Sequence, residues 1–366
     1  MFLIGGQFDN PVSVLFYYVP FLLLMFYGQR ISVWIMLNQA SGSVKKLSRF
    51  QETSRIEAIE YIKKNFKLNS DPTNRINELI EYFTIMPVNL DPSGIMNKIE
   101  HVTTLQDERL KEDIQRITGS KNEIDVSKAG NMVEIATALN LMHKVVRHLF
   151  LIGKRTKSTI ALVQLQVIMP MIMDEANALV KATEAFRKAH PIGDGIGPMV
   201  VSRFMIGKRK TKIAKETLLA QIKYKMRNLS IIKAGGPIGT VGKLGEAMNK
   251  IVNEMNARIN IIIMVDAALK LEGEKTGEIA EGAGAAIGGI GVERFKIEEI
   301  ATENNIPLHA IVIKQSNTEA ITSMKKEIAE SADEVEERIK RIIEEETEKG
   351  ENVLLVGVGN TIGVGQ

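Results

Sequence analysis

Four stretches of the chain hold residue types suited to chemistry, and each follows an apolar run. The first is AGGPIGTVGKLGEA, residues 234–247. A glycine loop between a strand and a helix turns backbone N–H groups toward an anion, and the helix N-terminus adds a positive dipole end. Gly235, Gly236, Gly239 and Gly242 permit the turns and Lys243 offers a charge, so the loop is a candidate phosphate site. It is not a Walker A motif. The spacing from Gly236 to Gly242-Lys243 is one residue too long, and Leu244 stands where Ser or Thr would reach Mg²⁺. The plain alternative is a strand-to-helix turn with a solvated lysine. The second stretch, NIIIMVD (260–266), ends in Asp266, where a Walker B-type aspartate would hold Mg²⁺. Glu272 and Glu274 follow as candidate metal ligands, since Mg²⁺ takes a few carboxylates plus water. Otherwise Asp266 caps a turn. The third ends in Lys314-Gln315-Ser316-Asn317 and the fourth in GVGNTIGVGQ, 357–366. Gln315, Ser316, Gly357, Gly359, Asn360 and Thr361 are the candidate rim of the same site. The cofactor implied is Mg²⁺ with a nucleotide.

These segments need a frame that brings them together. From Asn228 the pattern alternates: NLSIIKA (228–234), NIIIMVD, PLHAIVIK (307–314) and NVLLVGV (352–358) read as strands. Helices are expected between them over 244–258, 295–304 and 319–349. Such alternation predicts a parallel sheet with covering helices, and continuous apolar strands fit burial on both faces. In an open parallel sheet, ligands bind at the carboxyl ends of the strands. All four segments then lie on one rim. Residues 273–291 carry seven glycines and read as a mobile lid or a flexible connection.

The N-terminal half is different. Residues 45–227 read as helical, with Asp71-Pro72 and Asp91-Pro92 as helix starts and long helices over 131–152 and 158–189. Ahead of them, Pro11 to Gly28 is free of charge. At 1.5 Å per residue it spans about 27 Å, near the thickness of a bilayer core. Tyr27 and Trp34 suit the interfacial belt. Only Asp9 precedes the run, while Arg30, Lys45, Lys46 and Arg49 follow it. Basic residues stay in the cytoplasm, which predicts a single-pass cell-membrane protein, N-terminus outside and body cytoplasmic. A cleaved signal peptide is the rival, with Ala40-Ser41-Gly42 as a possible cleavage site. The apolar run Ser158–Met173 is broken by Gln164, Gln166 and Pro170 and reads as a core helix.

The expected class is therefore α/β. It comprises an N-terminal transmembrane helix (1–40), a helical domain (41–227) and a glycine-rich, Rossmann-like domain with a largely parallel sheet (228–366). Without cysteine there is no disulfide or thiolate chemistry, and the five histidines form no metal motif. A net charge of +3 does not argue for nucleic acid. Nine basic residues lie between Arg203 and Arg227 against Glu216 alone. They read as a surface for anionic lipid headgroups, or as a face paired with the acidic stretch 325–349. Aromatics there are too few for nucleic-acid stacking.

HPIGDGIGPMVV (190–201) resembles the GDGIGPE motif of isopropylmalate and isocitrate dehydrogenases over Gly193–Pro198. Met199 replaces the glutamate, so no dehydrogenase activity is carried over. Together with the N-terminal span, GGPIGTVGKLGEA, GAAIGGIGVERFKIEE (284–299) and the terminal GVGNTIGVGQ, it resembles an archaeal family of membrane-anchored proteins of about this length, known as a domain of unknown function. The resemblance implies an archaeal source and a membrane location, and no catalytic residues. The functional expectation is a domain that binds a nucleotide or other phosphorylated ligand at its strand ends. The alternative is a non-enzymatic scaffold that binds a protein partner or lipid; no protein partner is identifiable.

Overall fold

A computed structural model of the chain describes residues 11–83, 94–255, 258–287 and 292–365. Asp91-Pro92 and part of the 273–291 stretch lie outside the described residues. The chain divides into two compact units, one formed by 1–52 and 139–176, the other by 53–138 and 177–366.

The first unit uses parts of three long helices: α1 (Pro11–Asn65), α4 (Glu123–Thr156) and α5 (Thr159–Lys188). Their buried residues recur at heptad spacing: Val33, Ala40 and Leu47 on α1, Leu139 and Val146 on α4, Leu162, Leu165, Met169 and Ala176 on α5. A spacing of seven keeps one seam of each helix facing its neighbours. Gly153 closes the seam on α4, because a Cβ there would strike the Leu162 side chain. The expected anchor does not end near residue 40; α1 runs unbroken to Asn65. Among the described residues, the helices long and apolar enough to cross a membrane, by length and composition alone, are α4 and α5.

The second unit holds a small helical core and the sheet. Ala58, Ile59 and Ile62 of α1 pack with Ile76, Leu79 and Ile80 of α2 (Thr73–Glu81), Ile114 of α3 (Ile95–Thr118) and Met132 and Val133 of α4. The Asp71 carboxylate accepts the Thr73 N–H at the start of α2, as the Asp-Pro reading expects.

The sheet has seven strands, β1 (Lys210–Ala214), β2 (Thr217–Tyr224), β3 (Arg227–Ala234), β4 (Ile261–Leu269), β5 (Ile279–Ala283), β6 (Leu308–Gln315) and β7 (Asn352–Gly357). Their spatial order is β1-β2-β3-β7-β4-β6-β5. The four strands read from the sequence are the central ones and are mutually parallel. The sheet as a whole is mixed, which corrects the largely parallel expectation. β1 and β2 add antiparallel strands on one side, β5 on the other. The sheet therefore begins at Lys210, inside the stretch read as helical. β1 and β2 lack a continuous apolar run: KTKIA and TLLAQIKY carry lysines and are half exposed.

Side-chain alternation builds one core on each face. Ile231, Ile261, Ile263, Val353 and Leu355 meet α6 (Ile196–Met205) and α10 (Lys326–Glu346). Ile232, Ile262, Met264, Leu354 and Val356 meet α7 (Leu244–Asn249), a π-helical stretch (Lys250–Glu254) and α8 (Val292–Glu303). The helix expected over 319–349 is divided into α9 (Asn317–Ile321) and α10.

Close approach of α6 to the sheet depends on Gly197, where a Cβ would strike the carbonyl oxygens of Val265 and Val358. Gly197→Ala is expected to lower stability by about 1–3 kcal/mol. Gly282→Ala, where a Cβ meets open space, is expected to be much milder. Denaturant midpoints of the two variants check this.

Candidate functional site

The carboxyl ends of β3, β7, β4 and β6 share one rim, as parallel pairing requires. That rim is filled by the chain itself. Two glycine-bearing segments, 192–197 and 358–365, cross it. A Cβ at Gly236 would strike the Val364 carbonyl, at Gly359 the Asp194 carbonyl, and at Gly363 the backbone around His190. The Val358 N–H donates to the Val265 carbonyl at 2.9 Å and the Asn360 N–H to Asp194 Oδ2 at 2.7 Å. Thr361 is fully buried, with its hydroxyl 2.9 Å from the Ile238 carbonyl and 3.0 Å from that of Thr240.

The predicted phosphate cradle is correspondingly spent. The Gly235 N–H donates to the Glu216 carbonyl, Gly239 to Ser127 Oγ, Gly242 to Thr240 Oγ1 and Lys243 to Thr217 Oγ1. Gly236 precedes a cis proline and is wedged beneath the terminal segment. At the start of α7 the Gly245 N–H already donates to the Glu293 carboxylate at 2.6 Å. Lys243 Nζ lies 3.7 Å from Glu100 Oε1. An anion would have to displace several of these bonds at once, so the loop is a packing element.

The metal candidates are placed apart. Asp266 is buried and its Oδ1 accepts the Ala267 N–H at 2.7 Å. Glu274 instead ion-pairs with Lys314 and accepts the Leu271 N–H. Among the described residues no three His, Asp or Glu side chains are placed to hold a metal ion, so Asp266, Glu272 and Glu274 do not converge. Of the rim residues, Ser316 caps α9 in a reciprocal pair with Glu319 and Gly357 packs on Val201, while Gln315 is buried with both amide atoms unpartnered. The basic stretch 203–227 is partly paired with the acidic helix: Arg203 meets Asp333 and Glu336, and Lys225 meets Glu344.

A different site lies beside this rim. A cleft of about 250 Å³ opens between α3, α4 and the loop 238–241. Asp107, Ser127, Asn131, Glu134, Glu216 and Asn360 line it. An annex of about 140 Å³ continues past Thr104, Lys215 and Lys243. Most charges here are matched. Lys111 sits 3.2 Å from Glu216, Lys215 sits 2.7 Å from Glu108, and Thr240 donates to Glu216 at 2.6 Å. Burial alone would raise the Glu216 carboxyl, but Thr240 and Lys111 outweigh it and the net shift is downward.

Two carboxyls are left over. Among the described residues neither Asp107 nor Glu134 has a hydrogen bond or ion pair. Glu134, like Asp107, keeps an exposed surface on the cleft. The protein packed around its carboxyl, with the Asp107 charge added, pushes it up to about 7. Burial also raises Asp107, against the charges of Lys243 and Lys215. Asn131, only 7 % exposed, adds an Nδ2 with no hydrogen-bond partner. A buried donor without a partner is costly, so such a group marks a place for a ligand or water.

The larger groove between Tyr61, Asp125 and Arg187, about 780 Å³, has no buried unpartnered polar atom among the described residues. Of the sequence candidates, only Gly239 and Asn360 reach the main cleft and Gly242 and Lys243 the annex. Asp107, Asn131 and Glu134 belong to no motif. One signal was available: Glu134 is the only acid between Asp125 and Asp174, on an otherwise apolar stretch of α4.

The profile for the N-terminal domain of a protein of unknown function, DUF1512, matches residues 14–189. The C-terminal profile of the same family, also described as of unknown function, matches residues 192–365. The chain belongs to this family. The two family profiles meet just before the 3₁₀ turn Gly193–Gly195, and the cleft draws residues from both parts. No curated protein matches the chain.

The raised carboxyl has a signed consequence. A group whose folded pKa lies above its unfolded value costs stability as pH rises between the two. Glu134 costs nothing below pH 4.5, where both states hold the proton, and its full penalty is present above about pH 7. Glu134→Gln is expected to match the parent in acid and to melt higher above pH 7. Thermal melts across that range check it.

Proposed function

We propose that this chain is a membrane-anchored protein that binds a small hydroxyl- or amine-bearing ligand in the cleft between α3, α4 and the 238–241 loop. The observation that carries the reading is the orphaned Asn131 amide facing the same space as Asp107 and Glu134, two carboxyls without a hydrogen bond or ion pair among the described residues. Two carboxylates want donors and Asn131 Nδ2 wants an acceptor, which a polyol, sugar or amino alcohol supplies together. A phosphate fits poorly, because the nearby cations Lys111, Lys215 and Lys243 already face Glu216, Glu108 and Glu100. Glu134, poised near neutrality, is the group that would move a proton on the bound ligand.

The anchor is the uncharged run Pro11–Gly28, with the N-terminus outside and the body cytoplasmic, supported by the basic residues that follow it. The archaeal source implied by the sequence resemblance belongs to the same reading.

The test is thermal stabilisation of the full chain in detergent by a panel of sugars, polyols and amino alcohols. A ligand at a hundredfold excess over its Kd should add about 2.7 kcal/mol. Binding should strengthen as pH rises through about 7, since the ionised carboxylate is the better acceptor. Asp107→Asn or Glu134→Gln should weaken it by roughly tenfold or more, and Glu134→Gln should also abolish the pH dependence. A panel without effect, or a shift that survives both substitutions, would sink the proposal and favour the scaffold reading.

A further inference from the structure

The first unit carries a charge pattern that the cleft does not use. Across residues 10–51 and 139–173 there are nine basic residues and no acid, although the whole chain nets only +3. The helix directions show where part of that charge gathers. α1 and α5 both leave this unit through their C-terminal portions, at Glu52 and Ala176, so they run the same way. Gln166 Nε2 donates to Gln39 Oε1 at 2.6 Å and fixes their register. Nine residues back stand Arg30 on α1 and Lys157 in the short connection just before α5, which places them near one level. α4 reaches the same level at Lys154 and Arg155, two residues before the α4–α5 connection. All four basic side chains are exposed.

Beyond that level α1 continues from Gln29 back to Pro11. Those 19 residues span about 28 Å, against about 30 Å for a hydrocarbon core. The hairpin tip thus meets α1 where its apolar segment begins. Tyr27 and Trp34 are exposed on either side of Arg30, the place that membrane interfaces favour for aromatic side chains. The tip itself, 153–158, has no aromatic on which a nucleic-acid base could stack.

We infer that the α4–α5 tip is a docking collar for anionic phospholipid headgroups: Lys154, Arg155 and Lys157, with Arg30, rest on the bilayer surface around the emerging α1. The inference rests on the anchor reading of α1 and adds a second, electrostatic contact. That contact holds the three-helix unit at a set depth. Each basic residue at an anionic surface favours the docked state by roughly fivefold, and salt weakens the effect.

The chain has no cysteine, so single labels can be placed without background. Thr156→Cys, Val167→Cys and Glu348→Cys carry a nitroxide, and the full-length protein is reconstituted in vesicles of phosphatidylcholine or of equal phosphatidylcholine and phosphatidylglycerol. Flotation reads anchoring; relaxation by a nickel chelate on the lipid headgroup reads contact. The expected result is flotation with both vesicles, and strong relaxation at position 156 only with phosphatidylglycerol. High salt should weaken the contact, and each of Lys154→Gln, Arg155→Gln and Lys157→Gln should reduce it by roughly fivefold. Failure to float would defeat the anchor reading and the collar with it. Flotation with relaxation at 156 no greater than at 348, or equal in neutral vesicles, would overturn the collar alone. So would a label at 167 buried in hydrocarbon, which would mean that the hairpin itself inserts. Spin–spin broadening between copies at 156 would assign the tip to self-association and overturn it equally.

Discussion

Everything at the top of the sheet depends on backbone lying directly against backbone. Segments 192–197 and 358–365 cross the ends of β3, β7 and β4 at distances that leave no room for a Cβ at Gly193, Gly197, Gly236, Gly359 or Gly363. Most strands of this type end in loops that leave a crevice between them. Here the crevice is closed by the end of the chain, which is pinned by Asp194, Thr361 and the Lys233 ammonium. Lys233 is wholly buried and donates to the Ala234 carbonyl at 3.1 Å and the Gly365 carbonyl at 3.4 Å. Burial, with the Lys210 charge, lowers its pKa to about 8. The glycines are therefore explained by proximity rather than by a ligand.

Closing that crevice shifts the open space sideways, to where the loop 238–241 meets α3 and α4. Local electrostatics then decide what the space can hold. Lysines 111, 215 and 243 each find an acid, and the acids they choose leave Asp107 and Glu134 unmatched. Desolvation raises both carboxyls; the Asp107 charge raises Glu134 further, and Glu216 and Glu108 raise Asp107. The site's chemistry is thus a remainder: what is left after neighbouring side chains have satisfied one another.

The four central strands were legible because burial on both faces demands continuous apolar runs such as NIIIMVD and NVLLVGV. Their common direction followed from the alternation with helices. The edge strands were not legible, since half-exposed strands such as KTKIA carry lysine where a core strand would not. The glycine segments stand out in the sequence, but their role does not. A glycine required for close packing and one required for an anion look the same in a sequence, and only the partners of the N–H groups separate them. The cleft was invisible for a simpler reason. Asp107, Asn131, Glu134, Glu216 and Asn360 lie on four separate stretches of chain, and no spacing rule links them.

The two outermost strands have a bearing on how the protein survives at high concentration. An unpaired strand edge is a template on which another chain can polymerise. β1 shifts register between Lys212 and Ala214 and places Lys210 and Thr211 beside it. β5 has only five residues, and its Glu281 is clasped by Arg338 and Arg341 from α10. Each border of the sheet thus presents an irregular, charged selvedge, so the apolar strands inside it are shielded from fibril growth.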